Sequence, residues 1–128
     1  MNKVARGFLY FFGAFFLVYG ATALFAPDII AGKLYLSPVT IAGTSEIRGL
    51  YGGGFAGFGV VILTGLRSKT LGAGLLMSMA IVMGGVVVGR VVSLAIDHET
   101  AFTVPAAIAE LLVAVSCWIA SNNKSGPA

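Results

Sequence analysis

Charge is what this sequence has least of. Only 10% of its 128 residues are Asp, Glu, Lys or Arg, against about 25% in an ordinary soluble domain. Hydrophobic residues make up 58%, and the mean hydropathy is +0.97. Such a chain cannot cover its own apolar surface with polar groups, so a water-soluble globule is excluded and an integral membrane protein is expected; the length allows one domain over residues 1–128. Cysteine is nearly absent: Cys117 stands alone, which rules out an internal disulfide. His98 is the only histidine; beside Asp97 and Glu99 it reads as a solvated turn, because a metal site needs three or four converging ligands. No Ser/His/Asp set, redox cysteine pair or phosphate loop is present, so the chain leans away from an enzyme, and neither a metal nor another cofactor is expected. The net charge of +3 would point to nucleic acid in a soluble protein. Here the basic residues sit at the ends of apolar segments, as orientation signals do, and no nucleic-acid partner is expected.

What the sequence does have is four long apolar stretches. The first, over about residues 7–25, is stopped by Pro27, which cannot donate to a continuing helix. Its length fits a membrane span and exceeds a signal h-region, although Ala21-Thr22-Ala23 has the look of a cleavage site. It carries Phe8, Tyr10, Phe11, Phe12, Phe15, Phe16, Tyr19 and Phe25 on nearly every face. These read first as lipid-facing or packing residues, and second as a ligand-stacking surface. Between Pro27 and Thr44 no stretch is long enough to span, so a loop with one short interfacial helix is expected. The second span covers about 45–64, with Thr44 or Ser45 as its cap. The third covers about 70–96 and the fourth about 103–120, with Pro105 tolerated in its first turn. The predicted architecture is all-α, a four-transmembrane-helix bundle.

Orientation follows from the charges at the segment ends. Lys3, Arg6, Arg67, Lys69 and Lys124 lie on one side with no acid among them, whereas Asp28, Lys33, Asp97, His98 and Glu99 lie on the other. The positive-inside rule places both termini in the cytoplasm, N-in and C-in.

The opening of the second span, Glu46-Ile47-Arg48-Gly49-Leu50-Tyr51-Gly52-Gly53-Gly54, combines two signals. Gly49, Gly53 and Gly57 recur every four residues and predict a ridge on which another helix packs closely; Gly85 and Gly89 give the third span a similar face. Glu46 and Arg48 belong to a set of ionisable groups near one membrane surface. Arg90 lies seven residues before Asp97, and Glu110 seven after Thr103, so each is about 10 Å from that surface. An intramembrane charge costs about 2.5–3.5 kcal/mol at the helix centre, and an opposite charge at equal depth is the natural compensation. An Arg90–Glu110 ion pair is therefore expected. Arg90, Ser93 and Asp97 share one helical face, and Tyr51 lies one turn below Arg48. Either these groups neutralise one another and lock the helices together, or the arginines face a cavity and bind an anionic or carbonyl-bearing group.

Glu46-x-Arg48 with Tyr51-Gly52-Gly53, then Gly89-Arg90 in the third span and Glu110 in the fourth, resembles an uncharacterised bacterial family of small four-helix membrane proteins, a domain of unknown function. The resemblance covers nearly the whole chain and implies the same fold, but brings no activity. The expected role is a non-enzymatic accessory or binding protein of the bacterial inner membrane, in contact with the lipid bilayer. Its outer polar cluster would hold a lipid-like or quinone-like ligand or a membrane-protein partner, with a homo-oligomer as a further expectation. The alternative is a small proton-coupled transporter in which Glu110 cycles its proton.

Overall fold

The computed structural model describes residues 3–34, 36, 40–96 and 100–124, the Ser93 side chain excepted. Among them there are five helices and no strand: α1 (Lys3–Phe25), α2 (Pro27–Lys33), α3 (Ile41–Arg67), α4 (Gly72–Ile96) and α5 (Thr103–Lys124). All but α2 are long and apolar enough to cross a membrane, at 22 to 27 residues each. At 1.5 Å per residue they span roughly 33–40 Å, enough for the hydrocarbon layer of about 30 Å. Phe11, Phe25, Ile81 and Trp118 are all more than half exposed. Surfaces of this kind match lipid and would associate in water, so the fold is that of an integral membrane protein.

The long helices pack in the order α1, α3, α4, α5, and α1 meets α5 only sparsely. The α1–α3 seam is set by glycines. A Cβ on Gly20 would lie 2.6 Å from the Gly52 carbonyl oxygen, and one on Gly59 would lie 2.6 Å from the Gly13 carbonyl oxygen. Gly13 and Gly20 are seven residues apart, as are Gly52 and Gly59, so the close points recur at the same sequence interval on the two helices. The predicted ridge of Gly49, Gly53 and Gly57 is not this seam. A Cβ on Gly49 or Gly57 meets nothing within 4 Å, and one on Gly53 meets only the Arg48 carbonyl at 4.0 Å. Gly85 and Gly89 on α4 likewise face open space within the chain.

The reason lies in α3. Residues Ile47–Gly54 form a π-helix in the middle of the span, where the hydrogen-bond ladder steps by five residues. Positions five apart then share a face, and the two buried residues of the segment, Ile47 and Gly52, have that separation. An α-helix, at about 100° per residue, would have put Ile47 and Gly52 on different faces. Three consecutive glycines, Gly52, Gly53 and Gly54, let the wider turn form without side-chain crowding. Gly49, Gly53 and Gly57 stay together on the exposed face of α3, turned away from the buried Gly52 and Gly59.

Both ends of the bundle are tied by cations bonded to helix carbonyls. Arg48 Nε donates to the Leu24 carbonyl at 3.1 Å, satisfying an oxygen near the end of α1. At the opposite end Lys124 Nζ donates to the carbonyls of Leu66 (3.0 Å) and Ser68 (2.8 Å), where α3 terminates. This contact carries α5 one turn past the expected end at residue 120. The start of α3 also differs from expectation. Thr40, with φ −139° and ψ 160°, caps it by accepting from the Gly43 N–H at 3.1 Å, so Thr44 and Ser45 lie inside the helix. Ser68 Oγ accepts from the Leu71 N–H at 3.0 Å and holds the turn into α4.

Candidate functional site

Arg90 on α4 and Glu110 on α5 meet at the α2 end of the bundle. Arg90 Nε donates to Glu110 Oε2 at 3.1 Å and its second terminal nitrogen to Oε1 at 2.9 Å, a two-point guanidinium–carboxylate fork. Their side chains keep 29% and 18% of their surface accessible. The guanidinium carbon also lies 5.3 Å from the centroid of the Phe102 ring, which adds a cation–π contact on a second side. Arg90 is thus fixed in orientation while remaining accessible.

The accessible side faces a cavity of about 290 Å³ enclosed by α1, α3 and α5 and bordered by Lys33 and Leu34 at the end of α2. It occupies the gap left where α1 and α5 barely touch. Phe12, Phe15, Phe16 and Tyr19 of α1 form one wall, Tyr51 and Phe55 of α3 another, and Ala106, Ala109 and Val113 of α5 a third. The rings support one another: Phe55 lies 5.0 Å from Tyr19, 5.5 Å from Phe16 and 6.0 Å from Tyr51, the last in a stacked arrangement. Phe16 and Val113 are almost fully buried and close the inner side. Beyond them Leu9, Ile62, Leu76, Met79 and Cys117 pack with at most 2% exposure.

The predicted polar cluster is only partly assembled. Arg90, Glu110 and Tyr51 line the cavity. Arg48 and Glu46 do not: both side chains are exposed, and Arg48 is committed to the Leu24 carbonyl. The π segment turns them to another face of α3. The Ser93 side chain and Asp97, together with His98 and Glu99, lie outside the described residues. Among the described residues no three His, Cys, Asp or Glu side chains are placed to hold a metal ion.

Residues 4–121 match the family described as Domain of unknown function (DUF4345). The chain belongs to that family. No curated protein and no solved structure matches it. Membership in DUF4345 accounts for the extent of the domain and leaves its chemistry to be argued from the cavity.

The aromatics of α1 meet the second expectation, a surface that can stack a ligand, on one face only, whereas the place of Lys33 has no sequence signal. Lys33 was counted only as a charge on a loop; as the last residue of α2 it stands at the cavity border. Phe12, Phe15, Phe16 and Tyr19 follow the i, i+3, i+4, i+7 spacing of a single helical face, a signal present in the sequence but masked by Phe8, Tyr10 and Phe11 around it.

Proposed function

We propose that this membrane protein binds one amphipathic molecule in the cavity between α1 and α5, its apolar part against the aromatic walls and its head group at the Arg90–Glu110 end. The observation that carries this reading is the division of the cavity: the ionisable groups Lys33, Arg90 and Glu110 border a pocket whose other walls are almost wholly apolar. Pockets with a few convergent polar groups in an apolar, pre-formed wall are how proteins orient small molecules. The protein is read as a non-enzymatic accessory or binding protein of the bacterial inner membrane. Both termini and the Arg67 turn lie on the cytoplasmic side, because their charges are basic without an acid among them.

Transport driven by protonation of Glu110 is the weaker reading. Beneath the cavity lies the packed layer of Leu9, Ile62, Leu76 and Cys117, and both oxygens of Glu110 are engaged by Arg90. A closed floor and an occupied carboxylate favour holding a molecule over passing one across.

The test is extraction of the purified protein followed by mass spectrometry of the bound small molecules, with Ala109→Phe as the control in which a phenyl ring fills the cavity. A near-stoichiometric amphiphile in the native protein that is absent from folded Ala109→Phe is expected. The same lipid profile from both would remove the proposal.

A further inference from the structure

Resting on that reading, we infer that the head group held beside Arg90 is a neutral planar ring bearing carbonyl oxygens, of the quinone class, and not a carboxylate or phosphate. Three observations point to it. The first is the fork itself. A guanidinium is the strongest receptor for an anionic head in this pocket, but its paired donors are already taken by Glu110 at 2.9 and 3.1 Å. An incoming carboxylate would meet a guanidinium whose charge Glu110 already balances, and would bring a second negative charge beside it in a low-dielectric site. A neutral carbonyl needs only a hydrogen-bond donor and leaves the pair intact.

The second observation is the supply of donors. Tyr19, Tyr51 and Lys33 line the same cavity, and no hydrogen bond joins either phenol hydroxyl to another described residue. Among the described lining residues Glu110 is the one acid, and both its oxygens are bonded to Arg90. Tyr19, Tyr51 and Lys33 can each donate to a head group that only accepts, and a quinone ring carries two carbonyl oxygens and no donor.

The third is shape. Seven of the lining residues are aromatic: Phe12, Phe15, Phe16, Tyr19, Tyr51, Phe55 and Phe102. Aliphatic side chains would serve an acyl chain equally well, whereas ring faces and edges add offset and edge-on stacking only for a flat partner. A cavity of about 290 Å³ has room for one ring and the root of its tail.

The experiment is equilibrium binding to the full chain in detergent, using a short-tailed para-benzoquinone and, separately, oleate as the carboxylate probe. Saturable binding of the quinone is expected, weakened about five-fold in Tyr51→Phe as one hydrogen bond to a neutral acceptor is lost. Phe55→Leu should weaken it further while the thermal midpoint without ligand reports that the variant is folded. Saturable binding of oleate with none of the quinone would overturn this inference and leave the amphiphile reading standing. Binding of neither probe, or quinone binding unchanged in Ala109→Phe, would overturn both.

Discussion

Arg90 and Glu110, twenty residues apart on neighbouring helices, are joined by two hydrogen bonds at the polar end of an otherwise aromatic cavity. The pair links α4 to α5 and also sets what the cavity can accept. With Glu110 in place the guanidinium is neutralised and aligned; without it, Arg90 becomes an anion receptor.

That relationship makes a thermodynamic prediction. Arg90→Ala and Glu110→Ala are each expected to cost about 1–3 kcal/mol, between the exposed-pair and buried-pair limits, because each leaves an orphan charge of intermediate burial. The double alanine variant should lose less than the sum by about 1 kcal/mol or more, measured by thermal or denaturant unfolding in detergent. Additive losses would mean that the fork contributes nothing to stability.

Glycine substitutions separate the seam between α1 and α3 from the rest of the surface. Gly20→Ala places a methyl group against the Gly52 carbonyl and the Ala56 backbone, which cannot rotate out of the way. A loss of about 1–3 kcal/mol is expected, as for overpacked cores. Gly57→Ala meets nothing within 4 Å and should be neutral, or slightly stabilising through better helix propensity. Equal effects of the two substitutions on the unfolding midpoint would contradict the packing described here.

Arg48→Ala removes the side-chain donor from the Leu24 carbonyl. The expected loss is about 1–2 kcal/mol for a charged donor on a largely exposed site, with no effect on ligand occupancy, since Arg48 does not line the cavity. Loss of bound amphiphile in a stable Arg48→Ala protein would return this residue to the site.

Much of this was legible in the residues alone. The four spans follow from apolar length, and the Arg90–Glu110 pairing follows from counting both residues back from one shared turn, because helix rise converts sequence distance into depth. The π segment was not legible: hydropathy does not distinguish a ladder that steps by five from one that steps by four, and the error rotated Arg48 and Glu46 into a cluster they do not join. The glycine pattern was ambiguous for a related reason. Spacings of four (Gly49, Gly53, Gly57) and of seven (Gly13 with Gly20, Gly52 with Gly59) are both present, and only the facing backbone decides which is a contact. The aromatic wall was hidden by abundance, since rings on every side of α1 conceal the one face that meets a cavity.

Topology is tested separately. Reporter fusions after residue 124 and in the turn at residues 68–71 are expected on the cytoplasmic side, and a fusion within residues 34–40 on the opposite side. A cytoplasmic signal from the last would invert the membrane orientation while leaving the cavity unchanged.

The most direct test of the central claim is photo-crosslinking in native membranes from two positions. Phe102 lines the cavity and is 38% exposed, which tolerates a photoreactive phenylalanine; Trp118 on α5, 53% exposed and outside the cavity, reports the surrounding lipid. The account predicts that position 102 captures a discrete ring-bearing amphiphile that position 118 does not, and that Ala109→Phe abolishes the capture. Identical bulk phospholipid adducts at both positions, unchanged by Ala109→Phe, would contradict it.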